Sequence, residues 1–415
     1  MDLMLLLQAV AAVIFASVVI MYACNEFEDS ADYLGKDMKP GIKGATINAI
    51  GSSLPEMLTT FFLLFMFNDI AGFSAGVATT AGSAIFNSVV IPLLCILAVR
   101  FYGVRQADGT LKKMKTIEID KSSLKRDIFF LISAEFLLIY FLGNSSLTWV
   151  AGISLVGFYL VYLSYLLYSN RGGSVTSEAE EDDEDDDEED ASPSKLKALL
   201  TFQFNELLFG GKKLTKSTAW INLALSVMVI AFACHLLAES VMWSSEALGI
   251  PAYFTAIIFA AAATSVPDAI LSIKDSIKGN PDDSLSNAIG SNTFDITVAL
   301  GLPLLAYSLI NGDVILAAGD TTSEDMQILR YVLVGITLVV AVAFLLPKYI
   351  SSKHAVIMGA LYAGWMGYIV VSAGGEETDV VEEKVTAELS ATSKSESGCF
   401  YSDKLETTLC KKSLS

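Results

Sequence analysis

Residues 51–56 read Gly51-Ser52-Ser53-Leu54-Pro55-Glu56, and residues 263–268 read Ala263-Thr264-Ser265-Val266-Pro267-Asp268. Serine and proline coincide, and each block closes on an acid. A second pair follows: Gly82-Ser83-Ala84-Ile85-Phe86-Asn87 and Gly290-Ser291-Asn292-Thr293-Phe294-Asp295. All four blocks lie inside apolar runs long enough to cross a bilayer, which takes about 20 residues. Two motifs that recur in order within such runs mark an internally duplicated helical membrane protein.

Working outward, such runs begin near Leu3, Lys43, Gly72, Ile128, Leu147, Ala219, Ala252, Asp283, Tyr331 and Ala355. Five precede and five follow a polar stretch. The expected fold is therefore all-α: ten transmembrane helices in two five-helix repeats. An odd number of spans per half makes the second copy enter the membrane from the opposite side, so the repeats are expected to be inverted. The first half is read as residues 1–168, a linker as 169–217, the second half as 218–374 and a polar tail, expected to be disordered, as 375–415. The first span has no positive flank before it and Leu3 to Cys24 exceeds a signal-peptide core, so it reads as a retained helix. Arg100, Arg105, Lys112, Lys113, Lys115, Lys121, Lys125 and Arg126 crowd the loop after the third span. The linker, the Lys274/Lys278 turn and the Lys348/Lys353 turn fall on that same side, which the distribution of basic residues makes cytoplasmic, with both termini outside.

A carboxylate inside a span costs roughly 2.5–3.5 kcal/mol on insertion scales, so Glu56, Asp268 and Asp295 call for a partner or a cavity. Ser52 and Ser53 lie four and three residues before Glu56, on adjoining parts of one helix face. Thr264 and Ser265 stand in the same relation to Asp268, and Ser83 to Asn87 and Ser291 to Asp295 are again four apart. Pro55 and Pro267 each remove a helix hydrogen bond, releasing the carbonyls of Gly51 and Ala263. Small residues in spans also serve close helix packing. The combined donor set is nevertheless all oxygen, which suits Ca²⁺ and its six to eight oxygen ligands and disfavours soft metals.

At these blocks the sequence resembles the cation/Ca²⁺ exchanger superfamily, and within it the potassium-dependent branch of the sodium/calcium exchangers, because GSNTFD ends in Asp295. The resemblance implies a Na⁺/Ca²⁺ antiporter working by alternating access, with K⁺ carried alongside Ca²⁺. It implies that Glu56 and Asp268 ligate Ca²⁺ and share Na⁺ with Ser52, Ser53, Thr264 and Ser265. Ala49 and Ala261 would offer carbonyls, and Ser83, Asn87, Ser291 and Asp295 would complete the sites. An H⁺-coupled or K⁺-independent cation/Ca²⁺ or Mg²⁺ exchanger stays open as an alternative, as does a cation channel. The expected partners are inorganic cations and the lipid bilayer, the plasma membrane rather than an organelle. No enzymatic activity, cofactor or nucleic-acid partner is expected, and oligomeric state stays open.

Other features carry less. The formal charge of −19 is dominated by Glu178 to Asp190, twelve acids in thirteen residues. Such a block reads as a solvated linker, with gathering of Ca²⁺ as the other reading. Lys195 to Phe209 mixes Leu and Phe with lysine, as a helix on the membrane surface would. Asn280-Pro281-Asp282-Asp283 is expected to start a helix, with Asn280 as its cap. His235 and His354 are too far apart to suggest a metal site. Cys24, Cys95 and Cys234 read as small apolar residues, and Cys399 and Cys410 are a possible pair. Asn144-Ser145-Ser146 is a sequon in a short loop and is read as unused. Glu135 has no repeat counterpart, leaving a helix-helix hydrogen bond as its reading, and Glu239 has no counterpart either.

Overall fold

The structure is a computed structural model that describes residues 2–34, 49–67, 70–106, 109–117, 121–169, 195–316, 321–347, 349–392, 399–402 and 407–410. The acidic run, the 35–48 lead-in and Lys348 lie outside the described residues. The chain forms a body over residues 1–366 and a C-terminal unit over residues 367–415.

The first half supplies α1 (Leu3–Leu34), α2 (Ala49–Phe67), α3 (Ile70–Phe101), α4 (Lys121–Leu142) and α5 (Trp149–Ser169). The second supplies α8 (Lys216–Leu248), a broken run of α9 (Ala252–Thr255), α10 (Ala261–Thr264) and α11 (Val266–Lys278), then α12 (Pro281–Phe294), α13 (Leu300–Asn311), α14 (Thr321–Leu345) and α15 (Ser352–Thr392). Between the halves lie two short helices, α6 (Lys195–Leu200) and α7 (Phe204–Phe209). The single surface helix expected over 195–209 is thus split, at Phe202, which takes a left-handed φ of 55°.

Among the described residues, eight helices are long and apolar enough to cross a membrane, or nine with the bent α10/α11 run counted as one span. The expected tenth, α4, is not among them. Its 22 residues would reach about 33 Å, but Lys125, Arg126, Asp127 and Glu135 interrupt its apolar surface. Three of these groups find partners within the protein, although Glu135 Oε2 stays without one. Arg126 forks onto Asp127 at 2.8 and 3.1 Å, Tyr162 of α5 donates to Asp127 at 3.2 Å, and Thr337 of α14 donates to Glu135 at 2.6 Å. Glu135 therefore makes the helix-helix hydrogen bond expected of it.

Short strand pairs fix which loops share an end. β1 (Val104–Arg105) pairs with β2 (Leu111–Lys112) inside the basic loop. β3 (Thr116–Ile117) of the same loop pairs with β6 (Ile350–Ser351) beside the Lys353 turn. Gly279, just past Lys278, lies against Val104. The three basic turns thus gather at one end. At the other end β4 (Ser146–Leu147), between α4 and α5, pairs with β5 (Val314–Ile315), between α13 and α14. Asp2 donates to the Ala247 carbonyl near the end of α8, so α1 and α8 run antiparallel and pack along their length.

α3 is the central post, buried along most of its length and packed by α2, α11, α12 and α14. A helix apolar on all sides belongs in such a position. Pro281 opens α12 as expected, but the Asn280 side chain makes no cap; only its carbonyl is used, by Ser284. His354 takes the Ser351 N–H at the start of α15, and His235 meets Phe62 edge-on. In the C-terminal unit, α15 runs on to Thr392. β7 (Cys399–Ser402) then pairs with β8 (Thr407–Cys410), with Cys399 opposite Cys410.

Where α5 crosses α13, a Cβ on Gly152 would lie 2.6–2.8 Å from the backbone of Gly301 and Leu305, whereas one on Gly157 would meet nothing. Overpacking against backbone costs about 1–3 kcal/mol. Gly152→Ala is therefore expected to lower the unfolding midpoint of the purified protein by several degrees, while Gly157→Ala leaves it unchanged or raises it, as checked by thermal melts in detergent.

Candidate functional site

The four sequence blocks meet on the α3 post. Ser52, Ser53 and Glu56 come from α2, and Ser83 and Asn87 from α3. Thr264 ends α10, Ser265 sits in the 41° break, and Asp268 lies in the first turn of α11. Ser291 comes from α12, and Asp295 opens a π-helical turn, Asp295–Ala299. All ten side chains are fully buried. Ala49 opens α2. Ala261 follows a second π-helical turn, Ala256–Ala260, and its carbonyl accepts Ser265 N–H at 3.3 Å and the Thr264 hydroxyl at 3.4 Å.

The approach depends on Gly82, since a Cβ there would lie 2.8 Å from Cβ of Ala261. That contact seats α3 against the broken run and brings Ser83 within 2.7 Å of Ser265. Ser83 also reaches Glu56 Oε1 at 3.0 Å and Asp295 Oδ2 at 3.2 Å. On the other side Ser291 donates to Asp268 Oδ1 at 3.0 Å and lies 3.2 and 3.4 Å from the Ser53 and Ser52 hydroxyls. Exchanging the two copies therefore exchanges the contacts: Ser83 holds Glu56 and Ser265, as Ser291 holds Asp268 and Ser53. The relation is incomplete, and its largest departure is in charge. Asn87 donates to Asp268 Oδ2 at 3.1 Å, while its counterpart Asp295 brings a carboxylate with no proton of that kind to give.

A hydroxyl has one hydrogen to donate. Ser83 has the Glu56 and Asp295 carboxylates and the Ser265 hydroxyl around it, so at least one carboxylate goes without its proton. The shortage is general here: Glu56 Oε2, Asp295 Oδ1, Asn87 Oδ1 and Asn292 Oδ1 are buried acceptors with no hydrogen-bond partner. Buried carboxylates in this condition need a proton or a cation to answer their charge. The oxygens present suit hard cations such as Ca²⁺ and Na⁺.

The carbonyl that Pro267 releases, on Ala263, accepts Ser17 of α1 at 3.4 Å, tying that helix weakly to the site. Several participants escaped the sequence reading. Asn292 donates to Ser88 at 2.7 Å across the two halves, and Thr59 and Thr60 place unpartnered hydroxyls on the helix of Glu56. Comparing the repeats hid the first pair, because Asn292 aligns with Ala84 and Ser88 with Ile296. Thr59 and Thr60 were legible as the next turn of the Glu56 helix.

Comparison with known proteins places this arrangement. The family described as sodium/calcium exchanger protein matches residues 8–168 and 218–371. The putative antiporter CaxA of Alkalimonas amylolytica is 24% identical over 299 residues, covering 72% of this chain and 80% of its own. Human sodium/potassium/calcium exchanger 1 is 41% identical over 87 residues, 21% of this chain and 8% of that protein. Among solved structures, the H⁺/Ca²⁺ exchanger CAX aligns with a TM-score of 0.57 at 14% identity, covering 91% of this chain and 92% of that one. The sodium-calcium exchanger NCX_Mj aligns at 0.51 and 20% identity, covering 86% and 97%. At these identities the two structures speak to the fold alone.

A cation that binds only the folded state at 100 times its Kd stabilises it by about 2.7 kcal/mol. Saturating Ca²⁺ is expected to raise the unfolding midpoint of the purified protein. Ser83→Ala, which strips Glu56 and Asp295 of their shared donor, should change that rise markedly. Ser133→Ala, on an exposed helix face, should reproduce the wild-type shift in the same melts.

Proposed function

Because the chain belongs to the sodium/calcium exchanger protein family, we propose that it exchanges Na⁺ for Ca²⁺ across a bilayer by alternating access, carrying K⁺ with Ca²⁺. The protein is an integral membrane transporter of inorganic cations. The observation that carries the finer reading is a cluster of three fully buried carboxylates, Glu56, Asp268 and Asp295, in which Glu56 Oε2 and Asp295 Oδ1 have no hydrogen-bond partner.

One Ca²⁺, or several Na⁺, compensates these carboxylates. The two loads compete because Glu56 and Asp268 serve both. Ser52, Ser53, Thr264 and Ser265 add hydroxyls for Na⁺, and Ala49 and Ala261 add backbone carbonyls. Ser83, Asn87, Ser291 and Asp295 complete the coordination. Asp295 is the extra carboxylate of the second copy, and an added monovalent cation such as K⁺ answers its charge.

Loaded, the core is electrically quiet and the α1/α8 pair slides over it. Empty, the buried charge opposes the passage, since carrying uncompensated carboxylates through a low-dielectric barrier costs several kcal/mol per ion. Exchange is then obligate. The clustering of Lys and Arg turns at one end supports a cytoplasmic linker with both termini outside, and the plasma membrane is the proposed location. Two five-helix halves related by inversion, with α4 as the fourth span of the first half, account for the exchange of contacts between the copies.

The test is uptake of ⁴⁵Ca²⁺ into proteoliposomes under imposed gradients. An outward Na⁺ gradient should drive uptake and a pH gradient should not. Drive by the pH gradient alone would instead establish H⁺ as the coupling ion at the same carboxylates. Glu56→Gln and Asp268→Asn should each reduce uptake to background while the protein remains folded. Asp295→Asn should retain Na⁺-driven uptake and lose its stimulation by K⁺; if wild-type uptake is indifferent to K⁺, the role given to Asp295 fails.

A further inference from the structure

A polar cavity lined by none of the ten clustered side chains lies where the linker-side ends of α1 and α8 meet α7. It measures about 200 Å³, far more than the ~10–15 Å³ that one water needs. Glu26, Asp29 and Ser30 of α1, Asn205 and Glu206 of α7, and Asn222 of α8 line it. Asn222 is 1% exposed, and its Oδ1 has no hydrogen-bond partner. The Asn205 amide gives its N–H to the Lys212 carbonyl at 3.1 Å, leaving its own buried Oδ1 without a partner. A buried, unsatisfied amide oxygen in an otherwise apolar membrane helix costs free energy unless something occupies the space beside it.

We propose that this cavity binds a divalent cation, Ca²⁺, distinct from the ions of the central site. Three carboxylates, two amide oxygens and a hydroxyl form a wholly oxygen set of the kind Ca²⁺ takes, with its irregular geometry and tolerance of water ligands. Glu26, Asp29 and Glu206 do not converge as a ready-made cluster of direct ligands. The ion is therefore reached partly through its waters, for which the cavity has room. The Phe204 N–H already bonds Glu26, holding α7 against α1. An ion in the cavity strengthens that junction, docking the end of the linker onto the α1/α8 pair. Binding does not depend on the transport reading; only its consequence for flux rests on it, since α1 and α8 are the helices that slide.

The test is equilibrium dialysis of the full chain against ⁴⁵Ca²⁺ in detergent. In protein carrying Glu56→Gln and Asp268→Asn, Ca²⁺ binding should persist, and adding either Glu206→Gln or Asn222→Leu should weaken it by about tenfold or more. Asn222→Leu puts an apolar side chain of similar size in a membrane helix and guards against loss of fold as the cause. Absence of binding in the double variant up to low-millimolar Ca²⁺ overturns the proposal. So does binding that neither added change alters, which would place the ions on the acidic run. Failure of the transport reading would show separately, as intact Na⁺-driven flux in the Glu56→Gln, Asp268→Asn protein.

Discussion

Three carboxylates with no access to solvent share too few hydrogens. Ser83 stands between Glu56, Asp295 and Ser265 with one proton to give, and Ser291 and Asn87 supply Asp268. What remains is a set of buried oxygens that neither the helices nor the hydroxyls satisfy. In a low dielectric such a set is stable only when a cation or a bound proton answers its charge. Most of what is unusual in the body of the protein follows from holding these oxygens together.

The breaks in the helices are one such consequence. A continuous α-helix offers a site its side chains and keeps its carbonyls to itself. Here the second copy bends by 41° at Ser265 and carries π-helical turns at Ala256–Ala260 and Asp295–Ala299. Such turns change the facing of the residues beyond them and recur at functional sites. The first copy, by contrast, runs unbroken from Ala49 through Pro55 to Phe67. The halves are alike in which contacts they make and unlike in backbone, and Asp295 against Asn87 makes them unlike in charge. Gly82 is what lets the two copies touch.

The duplicated blocks were legible because period and polarity agree: a polar residue every three or four positions inside an apolar run has few explanations other than a lined cavity. All ten side chains read from that pattern come together. The pattern was blind to pairs that cross between copies at unmatched positions, as Asn292 and Ser88 do. It was blind also to the π-helical turns at Ala256–Ala260 and Asp295–Ala299. The apolar run from Ile128 reads as a span in sequence, but α4 as a whole carries Lys125, Arg126, Asp127 and Glu135 and is not among the helices apolar enough to cross; Asp127 and Glu135 accept from Tyr162 and Thr337, partners distant in sequence.

Competition between ions at one set of oxygens is the center of this account. It is measured most directly by titrating Na⁺ against ⁴⁵Ca²⁺ bound to the purified protein at several fixed Ca²⁺ concentrations. The account predicts that Na⁺ displaces Ca²⁺ cooperatively, and that the Na⁺ needed for half displacement rises with Ca²⁺. Bound Ca²⁺ that is indifferent to Na⁺, or displacement whose midpoint does not move with Ca²⁺, would contradict it.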